Sequence, residues 1–219
     1  MNKNFVVLDP IDIQISPDAV LIQSGYPDAG SASEGMRKKV CAVIKGVKGV
    51  IEPRGGYLLL DEADYEGFDL YAGAERIVLA LATIGESVGK ISNRLIKDGL
   101  GATGFIVDAA GTIAVEQTAD LVEQRIHEDF GKAGYKVSRR YAPGYCGWAL
   151  EAQKEILGRF PDTLGVNLTK SCLMIPEKSL TFLCGLSHND DFSSIKVGDC
   201  KKCRQKDCPY RKEPFNTNN

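Results

Sequence analysis

The order of elements along this 219-residue chain predicts an α+β fold: a single domain with a mostly antiparallel sheet and flanking helices, followed by a small cysteine-rich tail. Two observations carry that reading. Strand and helix patterns do not alternate one for one, as a doubly wound parallel sheet would require, and no internal repeat is present. Residues 1–190 contain no linker rich in Pro, Gly or Ser, so they form one domain, and 191–219 is set apart by the polar run NDDFSSIKVGD.

Each element has its own signal. Ile11, Ile13 and Ile15 alternate with Asp12 and Gln14, the pattern of a half-buried strand, and Ser16-Pro17-Asp18 then opens a helix. Residues 34–50 read as a second helix with a mixed basic face, stopped by Pro53 and Gly55-Gly56; YLLLDE, 57–62, follows as a strand. RIVLALATIG, 76–85, is a continuous apolar run that periodicity alone leaves open between buried strand and buried helix; the strand reading is preferred. Residues 86–97 and 103–130 read as helices, the second with Val107, Ala110, Ala114, Leu121 and Ile126 at helical spacing. A short strand at 135–139, a Pro-Gly corner, a helix at 150–160 and two extended segments, LGVNLTKS and KSLTFLCGLS, complete the domain.

Composition narrows the function classes. With 43% hydrophobic and 26% charged residues the chain is an ordinary globular protein. It has no run of roughly 18 apolar residues, and an Asp and a Pro interrupt the first stretch too early for a secretory signal, so a cytoplasmic location is expected. A net charge of −2 does not mark the surface as a nucleic-acid binder. In the cytosol seven cysteines are not a disulfide framework. Cys41, Cys146, Cys172 and Cys184 are scattered, whereas Cys200, Cys203 and Cys208 form C-x2-C-x4-C within GDCKKCRQKDCPYRK.

The segment SRRYAPGYCGWALEAQK, 138–154, concentrates groups suited to a small ligand. Pro143 biases Ala142 toward extended geometry, and Gly144 permits a positive φ and close approach to the backbone. Arg140 can grip a carboxylate with a two-pronged bond, while Tyr141 and Tyr145 offer faces for a planar ring or a cation. An amino acid or nucleoside carrying both charges suits such a set. The alternative is an Arg140 paired with a structural acid beside a simple turn.

RYAPGY at 140–145, followed by LTKSCLMIPEKSLTFLCG, resembles the activation domain of cobalamin-dependent methionine synthase, with its R-x-A-P-G-Y and L-T-x-S-x-x-M-x-P-x-x-S segments. The second segment matches at Leu168, Thr169, Ser171, Met174, Pro176 and Ser179. LATIG at 81–85 and DAAGTIAVEQTAD at 108–120 are similar to shorter, stand-alone members. The resemblance implies S-adenosylmethionine binding and docking against a corrinoid protein, here a partner methyltransferase or methionine synthase, since the D-x-H-x-x-G motif that supplies cobalt's lower histidine is missing. It implies Arg140 as ligand of the methionine carboxylate, backbone contacts from Ala142 and Gly144, Tyr145 lining the site, and Glu116 near it; for Glu116 a solvated helix face is the alternative. An acidic ligand that the family carries near the start of the domain has no match, and Cys184 stands where the large synthases carry an aromatic residue.

The tail points to a metal. Three thiols within nine residues have ligand spacing, and a fourth ligand is needed for either zinc or a [4Fe-4S] cluster. Cys184 is the first candidate, with Cys172 and Cys146 in reserve. A cluster is preferred over zinc because it could relay an electron. The C-x3-C-x2-C arrangement of the enzymes that cleave S-adenosylmethionine into radicals is absent. His127 and His188 read as surface residues.

Overall fold

A computed structural model describes residues 5–60, 74–145, 148–189 and 192. The described residues form an α+β fold. Five strands make one antiparallel sheet in the order β1 (Phe5–Leu8), β2 (Arg54–Leu59), β3 (Arg76–Thr83), β7 (Ser179–Ser187), β4 (Lys136–Val137). A separate two-stranded hairpin joins β5 (Asn167–Leu168) to β6 (Met174–Ile175). The helices are α1 (Pro17–Gln23), α2 (Glu34–Lys48), α3 (Ser87–Lys97), α4 (Gly101–Gly131) and α5 (Ala152–Arg159).

Local chemistry explains several boundaries. Ser16 caps α1 by accepting from the Ala19 amide, with Pro17 in the first turn, and Ser33 caps α2 by accepting from the Met36 amide. Residues 76–83 of the apolar run are β3, the central partner of β2 and β7 and buried on both faces, which is why the sequence shows no alternation.

Helix α4 organises the molecule. Its 31 residues span about 46 Å, longer than any strand of the sheet. The first half, Ile106 to Val115, packs with α1, α2 and α3 in one apolar cluster. The second half, with Ala119, Val122 and Ile126, lies on the sheet face that carries Tyr57, Val78, Ala80, Phe182, Cys184 and Leu186. The opposite face, with Leu58, Leu79, Leu81 and Leu183, is covered by Ile156, Leu157 and Phe160 of α5 and by Leu164, Val166 and Met174 around the hairpin.

Two expectations need correction here. Ile11, Ile13 and Ile15 form no strand: Ile13 and Ile15 are buried against the helical cluster, and the Ile11 amide bonds to the Pro53 carbonyl, so the alternation reflects an extended segment without a ladder. Gly55 and Gly56 do not stop a helix but lie inside β2. A Cβ on Gly55 would sit 2.4 Å from Val122 Cγ2 and 3.0 Å from the Leu81 carbonyl, so the glycine lets α4 rest on the sheet backbone. The strand β1 carries no signal that four residues could make legible.

Candidate functional site

The corner runs along the exposed edge of β7, beyond the two-residue strand β4. Ser138 N–H donates to the Gly185 carbonyl and Gly185 N–H donates to Ser138 Oγ; Tyr141 and Leu183 then exchange a pair of backbone bonds of 3.0 and 2.8 Å. This pairing fixes the register of residues 138–141, and the chain turns away at Pro143. Gly144 has φ +86°, as the sequence requires of it, and its amide donates to the Trp148 carbonyl. The Tyr145 amide returns to the Ala142 carbonyl. Among the described residues, neither the Ala142 N–H nor the Gly144 carbonyl has a hydrogen-bond partner. Tyr145 is 45% exposed.

Arg140 points from the corner toward α4 and is held there. Nη2 donates to Glu116 Oε2 at 2.7 Å; Nη1 donates to Asp120 Oδ1 at 2.6 Å and to Glu123 Oε2 at 3.1 Å. The Arg140 backbone N–H donates to the other oxygen of Glu123 at 2.9 Å, and the guanidinium carbon lies 5.7 Å from the Phe182 ring centroid. The side chain is only 16% exposed, against 59% for Asp120 and 20% for Glu123. Burial works to lower the Arg140 pKa, but the carboxylates of Asp120, Glu123 and Glu116 outweigh it and raise the value above its ordinary range. One positive charge among three negative leaves a local surplus of two negative charges.

Of the residues expected at this site, Arg140 and Glu116 meet directly, and Ala142, Gly144 and Tyr145 share the corner. Asp120 and Glu123 were missed. Their signal is present in E-x3-D-x2-E, which places all three carboxylates on one helical face. The second motif packs beside the corner's aromatics: Leu168 and Met174 join the apolar cluster that also takes Tyr141 and Trp148, Thr169 and Ser171 build the β5–β6 turn, where the Thr169 hydroxyl accepts from the Leu173 amide, and Ser179 starts β7.

Cys184 lies in the core. It faces α4 from the centre of β7, opposite Val78, and is fully buried. Burial is the main cause that pushes its thiol well above the usual pKa, with Glu123 adding to the shift. In the described fold Cys184 packs the core against α4, and service as a metal ligand would require its thiol to be deprotonated there. Cys172 is buried in the hairpin turn at φ +64°. Cys146, Cys200, Cys203 and Cys208 lie outside the described residues, among which no group of three or more His, Cys, Asp or Glu is placed to hold a metal. His127 is exposed on α4, and His188 stacks on Tyr135 and pairs with Glu75. Among the described residues, no helix is long and apolar enough to cross a membrane.

The sheet order and the helix crossing it can be set against solved structures. The crystal structure of the MetH reactivation domain bound to AdoHcy is similar, with a TM-score of 0.58 over 87% of this chain and 80% of that one, at 14% identity. The two share a fold. No protein-family model matches the sequence, and no curated protein sequence matches it.

Proposed function

We propose that this chain binds S-adenosylmethionine at the 140–145 corner and supports the reductive methylation of a corrinoid carried by a partner methyltransferase or methionine synthase. The reading is supported by one coincidence: the RYAPGY corner occurs in a fold shared with a domain crystallised with AdoHcy, the demethylated form of that ligand.

The groups present fit the ligand. The Ala142 N–H can donate to a carboxylate, the Gly144 carbonyl can accept from an ammonium, and the exposed ring of Tyr145 can cover a planar base. The surplus negative charge on α4 favours a sulfonium. Arg140 takes a ligand carboxylate only by exchanging it for Asp120, the most exposed of its three partners. When bound, S-adenosylmethionine supplies a methyl group already activated by its positive sulfur. The chain therefore needs no acid or base, and its contribution is to hold and orient.

Calorimetric titration of the full chain with S-adenosylmethionine and with its demethylated product tests the reading. Saturable heat from the first, competition by the second, and loss of both in Arg140→Ala are expected. Absence of heat in the wild type refutes it.

A second reading is favoured by a specific observation. Arg140 is fully engaged by three carboxylates, as a structural arginine would be, so the chain can also serve as a metal-bearing interaction module that keeps the fold without the ligand. In either reading Cys200, Cys203 and Cys208 are proposed to hold a [4Fe-4S] cluster or zinc, with Cys184 as the first candidate for the fourth ligand and Cys172 or Cys146 in reserve. Visible absorption after anaerobic purification separates a brown cluster protein from a colourless zinc one.

A further inference from the structure

We propose a second ligand site, for an oxyanion group such as a phosphate or carboxylate, centred on Arg54 at the end of the sheet where β2 begins and β3 stops. The register sets Arg54 beside Thr83, and Thr83 beside Ser179, in one row across three strands. This row lies on the face covered by α5, because Gly55 faces α4 and successive strand residues alternate. The site is thus on the opposite side of the sheet from Arg140, and it stands or falls independently of the S-adenosylmethionine reading.

Arg54 is the anomaly. Its side chain is 30% exposed and its Nε is buried, yet among the described residues the guanidinium makes no hydrogen bond. Among the described residues its single ionic contact is Glu52 Oε2 at 3.5 Å from Nη2, longer than a firm charge-assisted bond. A planar fork of donors left in this state matches an oxyanion with two acceptor oxygens. A further observation points the same way. The Thr181 hydroxyl, on the same face one pleat along β7, belongs to a residue 1% exposed and has no partner. Glu52 stands at the rim: besides its contact with Arg54, its Oε2 is 3.9 Å from where a Cβ on Gly85, just beyond β3, would stand. With Glu52 71% exposed, its carboxylate is an intramolecular competitor that a ligand can displace.

The test follows the Arg54 Nε–Hε resonance of the 15N-labelled full chain while inorganic phosphate, acetate, or chloride at matched ionic strength is added. A saturable shift with phosphate alone assigns a phosphate-type ligand, and one with acetate as well assigns the shared oxyanion chemistry. Glu52→Gln should tighten the apparent dissociation constant by about two- to fivefold, the range of one exposed ion pair. Arg54→Lys, which keeps the charge and the stem but loses the fork, should weaken it several-fold with the backbone spectrum unchanged. The proposal is overturned if neither anion shifts the resonance, if chloride shifts it equally, or if Glu52→Gln leaves the constant unchanged.

Discussion

Arg140→Met removes the guanidinium while preserving the stem over Phe182, and the cost follows from the contacts it leaves. Three carboxylates, Glu116, Asp120 and Glu123, lose their cation on one helical face and then repel one another at spacings of four and three residues. Exposed pairs contribute about 0.2–1 kcal/mol each, and removing one partner of a fully buried pair costs about 3–5 kcal/mol. Asp120 belongs near the first limit; Glu123, which also anchors the Arg140 amide, lies between the two. A total of about 2 kcal/mol is expected, and for a chain of this size each kcal/mol moves the midpoint by about 2–4 °C, so Tm should fall by about 4–8 °C. Thermal unfolding followed by circular dichroism measures it. Replacing the three acids by Gln, Asn and Gln in the Arg140→Met background should restore most of the loss, since the cost resides in unpaired charge. A fall of less than about 1 °C, or no rescue by the neutral set, would refute the claim that this cage ties the corner to α4.

Further outcomes follow from other parts of the fold. Gly55→Ala drives a methyl into Val122 and the Leu81 carbonyl and should cost about 1–3 kcal/mol, read from denaturant midpoints; Gly55→Ala with Val122→Ala should recover part of it. Tyr57 donates to Asp129, which also accepts from Arg125; this bond first, and Arg125 after it, hold the Asp129 carboxyl below its ordinary value, so its contribution is present above the unfolded pKa and is lost as pH falls. The Tyr57 phenol is raised, by burial first and then by Asp129, so its contribution is present below the unfolded phenol value and is lost as pH rises; in Tyr57→Phe the alkaline decline of stability should be smaller. Alkylation of the folded chain mapped by mass spectrometry should label exposed Cys41, while Cys172 and Cys184 react only after unfolding.

How far the sequence could be read depended on whether the signal was local. Ser16-Pro17 named a helix start because capping is a matter of adjacent residues, and R-x-A-P-G-Y named a corner because Pro143 and Gly144 impose their own backbone geometry. Cys184 could not be placed by pattern: β7 is buried on both faces, so inward and outward positions are alike in composition, and only pairing with β3 shows that it faces α4. The partners of Arg140 lie 17 to 24 residues upstream. Glu116 was reached through the family resemblance, whereas Asp120 and Glu123 became visible only when the edge of β7 brought the corner against their helix. Gly55 and Gly56 resemble a stop signal and are strand residues, because what excludes a side chain there comes from distant elements.

The backbone amide of Ala142 is the most direct reporter of the central claim, that the corner holds the amino-acid end of S-adenosylmethionine. In a 1H–15N titration of the full chain with that ligand, its resonance should shift saturably together with those of Gly144 and Tyr145, and the demethylated product should compete. If these three signals stay in place while ligand is added in excess, the corner is only a turn tied to α4 and the account of binding is contradicted.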